Sequence, residues 1–65
     1  MNIGENIKKV RKEQNATQEE FAKKLGISRS YLSDIENNRK NISTNTLRNI
    51  SEKLNVSINY LSEKN

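Results

Sequence analysis

The 65-residue chain has no cysteine, no histidine and no proline, and only two glycines, Gly4 and Gly26. Without cysteine there is no disulfide and no thiolate nucleophile, and without histidine no imidazole acid–base chemistry; zinc clusters built on either are excluded as well. An oxidising compartment is therefore not required. No apolar run is long enough for a membrane span, and Met1-Asn2-Ile3-Gly4 does not open a signal peptide. Asn2 stands where N-myristoylation needs glycine. These absences predict a soluble, cytoplasmic protein with no membrane partner. A nucleophile–base constellation, a metal-ligand set and a glycine-rich phosphate loop are also missing, so neither an enzyme nor a cofactor is expected. No low-complexity tract or internal repeat interrupts the chain.

Charge and helical periodicity are what the chain does have. Twelve Lys and Arg against eight Asp and Glu leave a net charge of +4. That sign favours polyanionic partners, although ordinary soluble domains often carry as much. Residues 1–65 make one domain near the lower limit for independent folding. A chain this size buries only about 60% of its unfolded surface, so association with a second copy is expected. Apolar residues recur at helical spacing and nowhere alternate at period two, which predicts an all-α fold.

Five helices fit the length, with four short connections and no linker. The first runs from Asn2 or Ile3 to Gln14, with Ile3, Ile7 and Val10 on one stripe. Thr17 caps the second, and Glu20 three residues later completes a capping box. Gly26 ends it in the left-handed conformation that a β-carbon disfavours. Ser28 caps the third, which extends to about Asn37. A polar, basic loop, Asn38-Arg39-Lys40-Asn41, leads to a fourth helix from Ser43 or Thr44 to Leu54 that buries Leu47, Ile50 and Leu54. Ser57 caps a short fifth helix carrying Ile58, Tyr60 and Leu61, and Val56 and Leu61 are assigned to the core. Lys8, Lys9, Lys12, Lys23, Lys24 and Lys53 are read as solvated faces.

Residues 17–36 hold the most specific pattern. Phe21, Leu25, Ile27, Leu32 and Ile35 are spaced to pack two short helices as an angled corner. Ala22 is small where the helices approach, Gly26 makes the turn and Ile27 plugs it. A corner of this kind suits DNA recognition, but an αα-hairpin without any ligand has the same spacing.

The wider pattern resembles the phage repressor/Cro-type, or Xre-like, helix-turn-helix regulators. The matching residues are Thr17-Gln18-Glu19-Glu20-Phe21-Ala22, Leu25-Gly26-Ile27-Ser28 and Leu32-Ser33-Asp34-Ile35-Glu36-Asn37. Leu47, Ile50, Leu54, Asn55-Val56-Ser57 and Leu61 match downstream, so the resemblance covers about Ile3 to Leu61. Ser30-Tyr31-Leu32-Ser33 with Ile35-Glu36 is most similar to the sporulation and biofilm type. Two positions depart from the pattern. Asn38 replaces a common glycine, and Ile42 stands where many members have proline before the fourth helix. The resemblance implies a compact five-helix bundle of the phage repressor DNA-binding type, with helices two and three forming the helix-turn-helix.

At roughly 100° per residue, Tyr31, Leu32 and Ile35 fall on one side of the third helix, and Arg29, Ser30, Ser33, Asp34 and Asn37 on the other. In the family this outer side enters the major groove of double-stranded DNA. Arg29 is the leading base reader, because its fork matches guanine O6 and N7; a phosphate clamp is the alternative. Ser30 and Ser33 fit several bases. Asp34 either accepts from cytosine N4 or repels phosphate, and Tyr31 either reaches a phosphate or only packs. Further phosphate contacts are expected from Gln18, Ser28, Asn37, Arg39, Lys40, Thr44 and Asn45.

The resemblance also implies a partly buried ion pair between Arg11 and Glu36 that orients the reading helix. Together with the capping box, it accounts for the carboxylate pairs Glu19-Glu20 and Asp34/Glu36 without chemistry. Ile58, Asn59, Tyr60 and Ser62 are the candidate homodimer interface, unless Tyr60 merely closes the core. No sensor domain or small-molecule pocket is expected, so control would come from concentration, a protein antagonist or turnover. The favoured function is a transcriptional repressor at an inverted-repeat operator. Phage or mobile-element repressors, restriction–modification controllers and antitoxins all fit this description. A protein-interaction module using the third or fifth helix is the alternative from another class.

Overall fold

The computed structural model describes residues 3–62. Among them are five helices and no strand: α1 (Ile3–Glu13), α2 (Gln18–Leu25), α3 (Arg29–Glu36), α4 (Thr44–Leu54) and α5 (Ile58–Ser62). Asn2, one of the two expected starts of the first helix, lies outside the described residues. α1 and α3 each stop one residue short of the expected end, and Asn37 serves as the α3 C-cap.

Local hydrogen bonds set the helix starts. Thr17 Oγ1 accepts from the Glu20 N–H at 3.1 Å, while Glu20 Oε1 accepts from the Thr17 N–H at 2.9 Å. This is the reciprocal capping box. Ser28, Ser43 and Ser57 accept in the same way from the N–H groups of Tyr31, Thr46 and Tyr60. Each such cap is worth roughly 0.5–2 kcal/mol. Ser43 thus starts α4 with Ile42, not a proline, before it.

Tight turns follow a second rule. Gly26 caps α2 at φ 74, and the only other described residues with positive φ are Asn15, Asn38 and Asn55. Asparagine is among the few L-residues that tolerate this region, so Asn38 makes its turn without a glycine. Gly26→Ala is expected to lower unfolding free energy by about 1–2 kcal/mol, because alanine carries a β-carbon into left-handed backbone. Its β-carbon would also stand 2.9 Å from Lys53 Nζ, which donates to the Leu25 carbonyl at the end of α2. A urea midpoint equal to the parent's would show that the turn is not held left-handed in solution.

The core draws on every helix: Ile7 and Val10 of α1, Phe21, Ala22 and Leu25 of α2, Leu32 and Ile35 of α3, Leu47, Ile50 and Leu54 of α4, and Leu61 of α5. α3 packs between α1 and α2, α2 also meets α4, and α5 rests on α1 and α4. Val56, assigned to the core from sequence, is only half-buried at its edge, because it lies in the turn between α4 and α5. Two buried polar residues sit on the apolar stripes. Asn6 Nδ2 donates to the Leu61 carbonyl at 2.6 Å and ties α1 to α5, and Ser51 Oγ donates to the Arg48 carbonyl at 2.8 Å.

The first turn of α1 meets the last turn of α3 at Gly4. A β-carbon there would overlap the Ile35 carbonyl oxygen and lie 2.9 Å from Asn38 Oδ1. The helices can therefore touch backbone to backbone, with the positive end of one macrodipole against the negative end of the other.

Candidate nucleic-acid interface

The corner between α2 and α3 is built by a buried Ala22, the left-handed Gly26 and a half-buried Ile27, whose N–H donates to the Ala22 carbonyl at 3.0 Å. Its consequence is a sharply sorted α3. Leu32, Ile35 and Glu36 are buried and Tyr31 is half-buried against the core. Arg29, Ser30 and Asn37 are exposed, and Ser33 and Asp34 lie at the margin. Among the described residues the Arg29 and Ser30 side chains have no hydrogen-bond or ion-pair partner, so both are available to an outside ligand.

Behind this face lies a carboxylate shared by three helices. Glu36, with a side chain 0% exposed, accepts from Arg11 Nε at 2.8 Å and Arg11 Nη2 at 3.1 Å. Gln18 Nε2 adds a third bond at 3.0 Å, and Arg11 Nη1 turns back to the Ala16 carbonyl at 3.0 Å. Arg11 belongs to α1, Gln18 opens α2 and Glu36 ends α3, so one side chain fixes the relative position of all three. The Gln18 amide, expected at a phosphate, is thereby also held from the rear.

A second cluster closes the C-terminal end of the face. The Arg39 N–H donates to the Asp34 carbonyl at 2.8 Å and folds the loop back on α3. Arg39 Nη1 then lies 3.6 Å from Asp34 Oδ1, and Lys40 Nζ lies 3.8 Å from Asp34 Oδ2. Lys40 Nζ also sits 5.8 Å from the centre of the Tyr31 ring, within cation–π range. Asn37 Nδ2 donates to the Ser33 carbonyl at 2.9 Å and approaches Ser33 Oγ at 3.4 Å.

Ser28, Thr44 and Asn45 are exposed at the starts of α3 and α4, where unpaired N–H groups carry partial positive charge. On α5, Asn59 is exposed and Ile58 and Ser62 are half-buried, while Tyr60 is 41% exposed, more than a ring closing the core would be. The Gln18–Glu36 bond, the Asp34 pairs and the Lys53 cap on α2 are not encoded in any local sequence pattern except at Gln18. The stripe position of Gln18, three residues before Phe21, was the available signal for the first. No helix among the described residues is long and apolar enough to cross a membrane.

A capped helix, a glycine turn and a second helix with a buried back and a bare polar front together define a helix-turn-helix domain. The Helix-turn-helix family model matches residues 7–61, and the chain belongs to the phage repressor/Cro-type (Xre-like) family of helix-turn-helix transcriptional regulators. It is 51% identical over 59 residues to the ImmF control region 10 kDa protein of Bacillus phage phi105, covering 91% of this chain and 66% of that protein. Identity to the immunity repressor protein of the same phage is 42% over 61 residues, covering 94% of this chain and 42% of the repressor. The chain therefore spans less than two thirds of either relative. Among solved structures, that of the biofilm master regulator SinR in complex with DNA superposes with a TM-score of 0.84 at 42% identity, covering 94% of this chain and 98% of that one.

Proposed function

We propose that the chain is a sequence-specific DNA-binding transcriptional repressor that acts in the cytoplasm as a homodimer on an inverted-repeat operator. The observation that carries this reading is α3 itself, whose unpartnered Arg29 and Ser30 project from the amino end of a helix buried along its back. In this reading α3 enters the major groove, where a helix fits and its first residues meet base edges. Arg29 reads guanine, Ser30 and Ser33 adapt to neighbouring bases, and Asp34 faces the same groove. Gln18, Ser28, Tyr31, Asn37, Arg39, Lys40, Thr44 and Asn45 hold flanking phosphates and fix the register. The SinR complex with DNA and the name of the phi105 immunity repressor support the same reading. Ile58, Asn59, Tyr60 and Ser62 form the two-fold contact, which sets the two α3 helices about 34 Å apart, one turn of duplex.

Selection of bound sequences from random duplex DNA tests this, with Arg29→Ala alongside. The parent chain is expected to enrich an inverted repeat, with affinity falling steeply as salt is added. Arg29→Ala is expected to lose about 1–3 kcal/mol of discrimination at one G·C pair in each half-site. An equal loss over all sequences would move Arg29 to the phosphates. Absence of any duplex binding at low salt, with salt-insensitive capture of a protein, would make the domain an interaction module instead.

A further inference from the structure

Asp34 is the one carboxylate on the outer side of α3, and the two cations nearest to it, Arg39 and Lys40, are among the residues proposed above to hold phosphate. Both are exposed, with Arg39 and Lys40 side chains at 65% and 60%. The Asp34 carboxylate, 27% exposed, lies between them at 3.6 and 3.8 Å. We propose that Asp34 acts as an internal substitute for a DNA phosphate. It occupies Arg39 and Lys40 in the free protein and so suppresses binding to duplexes of arbitrary sequence. The proposal rests on the DNA-binding reading and makes Asp34 a specificity-determining residue within it.

The geometry suits a contact made to be exchanged. At these distances and exposures the two pairs are weak, whereas a phosphate approaches a cation to about 2.7–2.9 Å as a charge-assisted hydrogen bond. A phosphate that reaches Arg39 or Lys40 competes with Asp34 for the cation. Non-specific affinity is built almost wholly from such contacts and is reduced throughout. At a site that presents a cytosine, the N4 amino group of the base gives the released carboxylate a donor in the major groove. The same displacement then costs least at the correct sequence. The loop is prepared for this exchange, because the Arg39 N–H is held on the Asp34 carbonyl whichever way the side chains point. Lys40 keeps its second partner, the Tyr31 ring, when the carboxylate is released.

Asp34→Asn in the full chain is the test, with affinity for random-sequence duplex and for the selected operator measured across a salt series. Affinity for random duplex is expected to rise about three- to tenfold at low salt. Its log–log salt slope should steepen by about 0.9 for each cation freed, up to about 1.8 for both. The operator-to-random affinity ratio should fall. Two controls separate this from a simple gain of net charge. Glu52→Gln, at an exposed position on α4, should leave random-duplex affinity nearly unchanged. In an Arg39→Ala/Lys40→Ala background, Asp34→Asn should lose its effect. An equal rise in that background, or no rise in the parent, overturns the proposal while the DNA-binding reading stands. A parent chain that binds no duplex at low salt removes that reading and the proposal together.

Discussion

Arg11→Met is expected to cost about 3–5 kcal/mol of folding stability. Without the guanidinium, the Glu36 carboxylate keeps only the Gln18 amide in a site closed to solvent. The Ala16 carbonyl loses its donor in the same step. A domain of this length has roughly 3–10 kcal/mol of stability in all, so the variant should be largely unfolded or close to it at 37 °C. Glu36→Gln should do less harm. It still offers an acceptor to Arg11, and the cation it leaves behind is 13% exposed and reaches water. The order of melting temperatures, parent above Glu36→Gln above Arg11→Met, is therefore the informative result of thermal denaturation followed by circular dichroism. At about 4–8 °C per kcal/mol, the Arg11 change should lower the midpoint by more than ~12 °C. Equal midpoints for all three chains would mean that the carboxylate is solvated in solution.

Gly4→Ala ranks second. The obstacle to its β-carbon is the Ile35 backbone carbonyl, which cannot rotate away as a side chain would. Either α1 withdraws from α3 or the last turn of α3 opens, and overpacking of this kind typically costs about 1–3 kcal/mol. The change falls at the end of α3 that carries Glu36 and leads into the Asp34–Arg39–Lys40 cluster, so altered backbone amide shifts should concentrate around Ile35–Lys40. Confinement of the shifts to the first turn of α1, with an unchanged melt, would refute this close approach. Alanine is otherwise the better helix former, so intrinsic propensity predicts the opposite sign.

Local chemistry was readable from the sequence, and tertiary chemistry was readable only where a stripe gave it away. The capping box at Thr17 and Glu20, the serine caps and the Gly26 turn depend on residues within four positions of one another. Their spacing alone announced them. The core stripes were equally plain. Polar residues on those stripes were the neglected signal: Asn6 falls between Ile3 and Ile7–Val10, and Ser51 between Leu47–Ile50 and Leu54. A polar group at such an angle must be buried, and a buried polar group needs a partner. Burial of Asn6 and Ser51 thus follows from their stripe positions, whereas the Leu61 carbonyl that Asn6 finds 55 residues away does not. Arg11 and Glu36 came into view only through the family resemblance, since nothing within 25 residues of sequence links them. The close approach at Gly4 and the pairing of Asp34 with Arg39 and Lys40 depend on how helices and loop come together. No periodicity encodes either.

The separation of the two sides of α3 has an evolutionary consequence. Leu32, Ile35 and Glu36 hold the helix in place, while Arg29 and Ser30 have no partner within the described residues and so contribute nothing to holding it. In the proposed reading, in which those outer positions meet base edges, drift there changes what a descendant protein recognises while the buried side of α3 is untouched. In that reading a duplicated copy acquires a new target through changes at positions that make no side-chain hydrogen bond or ion pair within the described residues. A domain divided in this way can give rise to many regulators that share one scaffold and ignore one another's sites.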